Sequence, residues 1–392
     1  MNIALCYENV LPARGGCETY IVDLTRRLTA DGHEVHLYAR RWDESALSKQ
    51  VIRHRLDVPQ RPRFLRPWFF GRACQQALAV ARHDVSIGFD KTWGQDVLYP
   101  QGGLHSASAE HNLRKYPDGF SRTLTRLLKR FDPAAISFAR LERKQYLEHS
   151  PVIIVNSEMV RRHFGEHYGL ASEKIRVVHA AIHPDRFRTE ERKAIRRDWR
   201  SRWQVNLDMP VALFVAMNYR LKGLEPLLHA VARVWNDFRL VVIGDSRTGR
   251  YERLARKLGI AERVIFQGYC GDMRQAYFAA DVLVHPTFYD PCSLVVLEAL
   301  ACGLPVITSR YNGAAELLTP EMAGLVIDDP HDHVLLAQCI ETMLETDYRQ
   351  AAAEAANEAA RRWNFEHHYR KIIGILTEVA RRKTQAIGSR AA

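Results

Sequence analysis

No stretch of 18 or more apolar residues occurs in the 392-residue chain, so nothing in it reads as a bilayer-spanning helix. The opening residues, MNIALCYENV, lack the basic segment, apolar run and small-residue cleavage site of a secretory leader, and are expected to form a first β-strand. The seven cysteines (Cys6, Cys17, Cys74, Cys270, Cys292, Cys302 and Cys339) are scattered, odd in number and without a Cys-x-x-Cys pair. A disulfide framework or structural zinc site is therefore not expected, and a reducing, cytoplasmic compartment is. Also missing are an Asp-x-Asp pair of the kind that holds a divalent metal and a nucleotide, a Walker loop, and a Ser–His–Asp arrangement. No helix-turn-helix, zinc finger or stacking platform accompanies the positive charge, so nucleic acid is not an expected partner.

What is present is basic. Lys and Arg number 56 against 45 Asp and Glu, a formal charge of +11 that favours anionic partners. Arg53, Arg55, Arg61, Arg63, Arg66, Arg72 and Arg82 are interleaved with Phe64, Trp68, Phe69 and Phe70, with Asp57 as the one acid between them. A second basic run holds Arg122, Arg126, Lys129 and Arg130 at helical spacing with Leu124, Leu127, Leu128 and Phe131. Basic, aromatic and amphipathic together describe either a surface that rests on anionic lipid headgroups or a solvated face over core aromatics.

The length exceeds what one core usually supports, so two domains are expected. Short apolar runs alternate with helical patterns throughout, the pattern of a parallel α/β sheet. Strands are read at Asn2–Tyr7, Glu34–Ala39, Asp84–Phe89, Pro151–Val155 and Ile175–Val178, and a helix over Gly15–Ala30. The charged stretch His183–Arg202 reads as the connection between domains followed by an exposed helix. A second series follows, with strands at Val211–Ala216, Arg239–Ile243, Val264–Gln267, Val282–His285 and Pro305–Thr308. The boundaries expected are 1–182 and 183–365, with an amphipathic last helix beyond.

Four constellations carry chemistry. Asp290-Pro-Cys-Ser-Leu-Val-Val-Leu-Glu298 follows one strand and opens a helix. The amides of Cys292, Ser293 and Leu294 would lie at its N-terminus, where an anion such as a diphosphate is favoured. Carboxylates at Asp290 and Glu298 can accept hydrogen bonds from hydroxyls at the two ends of a nucleotide-sugar. Arg220-Leu-Lys222-Gly223 follows the strand VALFVAMN, placing two cations where charge builds on a departing phosphate. Gly15 and Gly16, after Arg14, sit in the first strand–helix turn, where a glycine lets backbone approach a ligand. Gln101-Gly-Gly-Leu-His105 offers an imidazole in the N-terminal half, with Asp90 and His111 as neighbouring alternatives.

The first of these resembles the Glu-x7-Glu motif of glycosyltransferase family 4, with Asp290 in place of the first Glu and about 1.5 Å shorter. Gly303-Leu-Pro-Val306, Asn312-Gly-Ala-Ala-Glu316, Lys222-Gly223 and Val155-Asn-Ser157 are similar to the family as well. The segments Gly88–Val97 and Phe138–Arg143 are closest in pattern to lipopolysaccharide core glucosyltransferases, though Gly102 stands where those relatives carry Asp. The resemblance implies the GT-B architecture: α/β, two facing Rossmann-like domains with an interdomain cleft, and residues 366–392 returning to the first domain. It implies an N-terminal acceptor-binding domain, a C-terminal nucleotide-sugar domain, and metal-independent transfer of a hexose with retention. In that reading Arg220 and Lys222 face the diphosphate, Asp290 the sugar hydroxyls, Glu298 the ribose and His105 the sugar near C1. The Gly15-Gly16 loop faces the phosphates, and the loop at Gly268-Tyr269 the base. The acceptor implied is lipopolysaccharide core or a glycolipid, with the enzyme cytoplasmic and peripheral on the inner face of the membrane. A nucleotide-sugar epimerase of the same fold, or a transferase acting on a soluble acceptor, is the alternative.

Overall fold

The computed structural model describes residues 1–12, 15–116, 119–129, 131–149, 151–318 and 324–391. Arg14 and Arg130 and the side chain of Lys129 lie outside what is described. The chain forms two compact units. The first comprises Met1–Glu110, Phe120–His179 and His368–Ala392, and the second His111–Gly119 and Ala180–His367.

The first unit is built on a seven-stranded sheet, every pairing parallel. Its strands, in chain order, are Asn2–Cys6, Glu34–Ala39, Ile52–Arg55, Val85–Phe89, Val97–Tyr99, Val152–Val155 and Ile175–Val177. Their spatial order is 3-2-1-4-5-6-7. Central strands such as Val85–Phe89 are buried on both faces, which is why they read as unbroken apolar runs. The second unit repeats the plan with six parallel strands in order 3-2-1-4-5-6: Val211–Ala216, Arg239–Gly244, Val264–Gly268, Val282–His285, Val306–Ser309 and Gly324–Ile327. In such sheets the strand order reverses between strands 1 and 4, and the loops at their carboxyl ends diverge there into a crevice.

Two readings of the sequence change. The segment expected as an exposed connecting helix is the helix Arg192–Arg202, and it is part of the second unit's core. Trp199 is buried beside Trp203, and Arg200 is fully buried. Its guanidinium pairs Asp281 at 2.5 Å and donates to the carbonyls of Ala279, Asn206, Leu207 and Met209. Asp281 also accepts from Arg196 and from the Val211 amide, so the buried charge is fully hydrogen-bonded. The aromatics of the first basic stretch also turn inward. Helix Arg66–Val80 buries Phe70, while Trp68 donates to Ser137 Oγ at 3.0 Å and packs on Trp93. Exposed apolar side chains cluster in the second stretch, at Leu124, Leu127, Leu128 and Phe131, whereas Val80 is exposed at the end of the first.

Within the last helix, Phe365–Ala391, residues from His368 onward pack on the first unit. His368 bridges His179 O at 2.7 Å and Tyr20 Oη at 2.9 Å. Tyr369 donates to Asp31 at 2.7 Å, and Lys383 pairs Asp96 at 2.9 Å. No helix among the described residues is long and apolar enough to cross a membrane.

Candidate active site

In the second unit the loop after strand Val211–Ala216 and the loop after strand Val282–His285 are locked together. Phe288 N–H donates to Leu221 O at 2.9 Å. Gly223 sits at φ +84°, and a Cβ there would lie 2.1 Å from the Pro286 carbonyl oxygen, so this approach needs glycine. The consequence is a fixed Lys222. Its Nζ donates to Asp290 Oδ2 at 2.6 Å and to Tyr289 O at 3.0 Å, in a half-buried setting where the pair is worth more than on an open surface. His285 lies beneath, fully buried, with its Nε2 3.9 Å from Asp290 Oδ2 and neither ring nitrogen hydrogen-bonded. Burial, and then the Lys222 ammonium, push His285 down to about 3, so it is neutral at working pH.

Asn312 holds the Asp290 loop from the other side. Its Oδ1 accepts from Ser293 N at 3.2 Å and Ala314 N at 3.1 Å, and its Nδ2 donates to Thr308 Oγ1 at 3.0 Å. Backbone bonds from Asp290 N to Tyr311 O and from Gly313 N to Asp290 O complete the stitch. This narrows the anion site expected over three amides: the Ser293 N–H is taken by Asn312. The open end of helix Leu294–Ala301 presents the amides of Leu294 and Val295, and the Cys292 side chain is buried in the core. Glu298, half-buried in the second turn of that helix, accepts from Tyr277 Oη at 2.8 Å, and burial pushes its carboxyl up to about 7. Gly268, at φ +75°, ends the edge strand, and Tyr269 beyond it is 77% exposed. The Arg220 guanidinium lies 4.0 Å over the Tyr116 ring, and Arg220 lines a small cavity with Phe288 and Glu225.

In the first unit the equivalent position, after the fourth strand, is Asp90. It is a non-glycine residue at φ +52°, a strained conformation that the surroundings enforce. Gln145, presented by a π-helical turn at Lys144–Glu148, donates to the carbonyls of Asp90 and Thr92. Asp90 Oδ1 accepts from Gly102 N at 3.1 Å, its Oδ2 lies 3.9 Å from the Cys17 thiol, and burial raises its carboxyl above the usual range. Asp90, Lys91 and Phe138 are shared by two adjoining cavities of about 240 and 290 Å³. His105 lines the second of these, its ring 4.7 Å from Phe138. The buried Glu142 fixes that histidine: it accepts from the His105 and Ser106 amides, capping the helix His105–Arg114, and from Tyr168 Oη at 2.8 Å. His111 belongs to the second unit, with Nδ1 3.2 Å from Phe288 O. Gly15 is extended at φ 168°, a conformation open to any residue, and Gly16 is the first residue of its helix. The structure thus gives neither glycine a conformational requirement.

Sequence reasoning passed over three residues: Asn312, quoted only as part of a flanking motif, Gln145, and His285. All three act through contacts distant in sequence, and only His285 had a local signal, as the last residue of a buried strand. Among the described residues no group of three or more His, Cys, Asp or Glu is placed to hold a metal ion.

Two Rossmann-like sheets, with a Lys–carboxylate pair and an open helix end at one switch point, match the plan of a glycosyltransferase of the GT-B fold, and the comparisons show that class. Residues 14–186 match the model for Glycosyltransferase Family 4, and residues 195–363 that for Glycosyl transferases group 1. The chain belongs to glycosyltransferase family 4. It is 26% identical over 365 residues to the lipopolysaccharide glucosyltransferase WaaG of Escherichia coli K12, covering 92% of this chain and 94% of that one. The crystal structure of WaaG, a glycosyltransferase involved in lipopolysaccharide biosynthesis, superposes with a TM-score of 0.78 at 24% identity, covering 96% of this chain and 99% of that one. HepE of Anabaena, solved in complex with UDP-glucose, has a TM-score of 0.69 at 18% identity, covering 96% and 100%.

Proposed function

We propose that this enzyme transfers a hexose, with retention at C1, from a nucleotide-sugar to a lipopolysaccharide-core or related glycolipid acceptor. The observation that carries the reading is the Lys222–Asp290 pair at the switch point of the second unit, inside the family's own motif. The bond from sugar C1 to the β-phosphate oxygen breaks, the acceptor hydroxyl oxygen bonds to C1, and its proton passes to the departing phosphate oxygen on the same face. Lys222 and the open amides at Leu294 and Val295 meet the charge that grows on that phosphate, which is where fixed positive potential lowers a barrier most. They do so without a metal ion in this reading. Asp290, relieved of part of its contact with Lys222 by the diphosphate, accepts from sugar hydroxyls. Glu298 accepts from the ribose, and Gly268 and Tyr269 border the base.

The first unit takes the acceptor. Its paired cavities carry what sugar sites usually need, an aromatic face at Phe138 and a carboxylate at Asp90, with His105 in the second cavity kept for the transferred sugar near C1. Helix Phe120–Lys129 sets exposed Leu124, Leu127 and Leu128 beside Arg122 and Arg126, complementary to an anionic lipid surface, so the enzyme works from the cytoplasmic face as a peripheral protein. The test is incubation with radiolabelled UDP-glucose, UDP-galactose, UDP-N-acetylglucosamine, GDP-mannose and ADP-heptose, together with a lipid and lipopolysaccharide fraction. Label should enter that fraction with wild type and not with Lys222→Ala. Isomerised free donor with no transfer would replace this reading with an epimerase, and transfer only to small acceptors would remove the lipid.

A further inference from the structure

The turn after the first strand of the second unit carries two cations with different surroundings. Lys222 pairs Asp290, whereas Arg220 lines a partly open recess of about 120 Å³. Lys115, His229, His331 and His333 line the same recess, and Glu225 is the one carboxylate in its wall. Glu225 is already matched, by Arg250 at 2.5 Å. The Arg220 Nε is buried with no hydrogen-bond partner, although its plane is held at 4.0 Å over Tyr116. The His229 and His333 rings stack 4.9 Å apart at 15°, and His331 Nε2 is anchored on Arg114 O at 2.8 Å. Two cations beside three imidazoles, with one carboxylate already bound to Arg250, give the recess a positive character that favours an anion. Arg, Lys and His side chains lining one small recess suit a compact anion with several acceptor oxygens, to which Arg adds its forked geometry.

We propose that this recess is a second anion site, specific for a phosphate group and separate from the site at Lys222 and Asp290. The site does not depend on the glycosyl-transfer reading, because binding is a property of this unit alone. The phosphate is either a free ion or a substituent of the acceptor. Burial, then His229, Arg233 and His331, push His333 down to about 4, with Asp332 opposing. Among its neighbours Lys115 and Arg220 add positive charge and Glu225 negative. His333 is thus neutral at neutral pH, an anion draws a proton onto it, and binding strengthens as pH falls toward 4.

Titration calorimetry of the whole chain with inorganic phosphate tests the site. Arg220→Gln and Lys115→Gln should each weaken phosphate binding at least about tenfold, the usual scale of a charge-assisted contact. Both should unfold at the wild-type temperature when phosphate is omitted, and Lys222→Ala should bind phosphate normally. Sulfate, whose charge is constant over this range, should bind more tightly at pH 5 than at pH 7, and His333→Asn should reduce that difference. Two arms separate the sources. If the phosphate is the acceptor's, a phosphorylated acceptor has a lower KM than its dephosphorylated form, and Arg220→Gln abolishes the advantage. If it is a free ion, added phosphate alters turnover of both acceptors equally. Absence of phosphate binding overturns the proposal, as does binding that Lys222→Ala abolishes and Arg220→Gln leaves intact.

Discussion

Asp90 and Asp290 occupy corresponding places in two sheets of the same strand order, each in the turn after the fourth strand, and they are held by opposite means. Asp290 is neutralised by Lys222 at 2.6 Å and its loop is clamped by Asn312. The hydrogen bonds reaching the Asp90 carboxylate are uncharged, from the Gly102 and Gln101 amides and the Cys17 thiol, with Lys91 acting only as a neighbouring charge, and the Gln145 amide fixes its backbone. A carboxylate that shares its charge with a lysine can release that lysine to a diphosphate. One raised above its usual range by burial suits uncharged hydroxyls. One topology thus supplies two chemically distinct switch points, and the proposed function places the donor at one and the acceptor at the other.

Substitutions that break this division should differ in size and in what they alter. Lys222→Ala should lower turnover by roughly two to three orders of magnitude with the fold intact by circular dichroism; turnover within a few-fold of wild type would remove Lys222 from the phosphate's path. Asn312→Ala leaves buried amides at Ser293 and Ala314 without their acceptor. It should cost about 2–4 kcal/mol in urea unfolding and disturb donor binding. Gln145→Ala, the matching break in the first unit, should cost about 1–3 kcal/mol and raise the acceptor KM while donor affinity stays constant. Asp90→Asn should raise the acceptor KM about tenfold, the scale of one hydrogen bond to a charged group.

The smallest effect is in pH. Glu298 is raised to about 7 in the free enzyme, so its folded form prefers the proton. That preference favours the fold below the unfolded pKa near 4.5, and the contribution is lost as pH rises through about 7. Glu298→Gln should therefore gain stability relative to wild type at pH 8 compared with pH 5. Ribose hydroxyls favour the ionised form, so affinity for a nucleotide-sugar should climb between pH 6 and 7 and level off above, with proton release detectable in calorimetry. A flat profile would take the ribose contact away from Glu298.

Much of this was legible in the sequence because buried parallel strands are continuous apolar runs and because the Asp290–Glu298 and Lys222-Gly223 motifs are local. Strand Ile52–Arg55 escaped notice: it lies at a sheet edge and is three-quarters His and Arg. The buried Arg200 could not be read because its partners, Asp281 and the carbonyls of 206, 207 and 209, are brought to it only by folding. Asn312 shows the same limit at the site: it reaches back 19 residues to the Ser293 amide, and no spacing rule encodes that bond. The strain at Asp90 likewise belongs to the tertiary clamp rather than to any feature of the sequence around it.

The division of labour between the two units is tested most directly by titrating the nucleotide-sugar that labels the acceptor into wild type, Lys222→Ala and Asp90→Asn by calorimetry. The expected result is donor affinity at least about tenfold weaker in Lys222→Ala and unchanged in Asp90→Asn. Loss of donor binding in Asp90→Asn with retention in Lys222→Ala would contradict it.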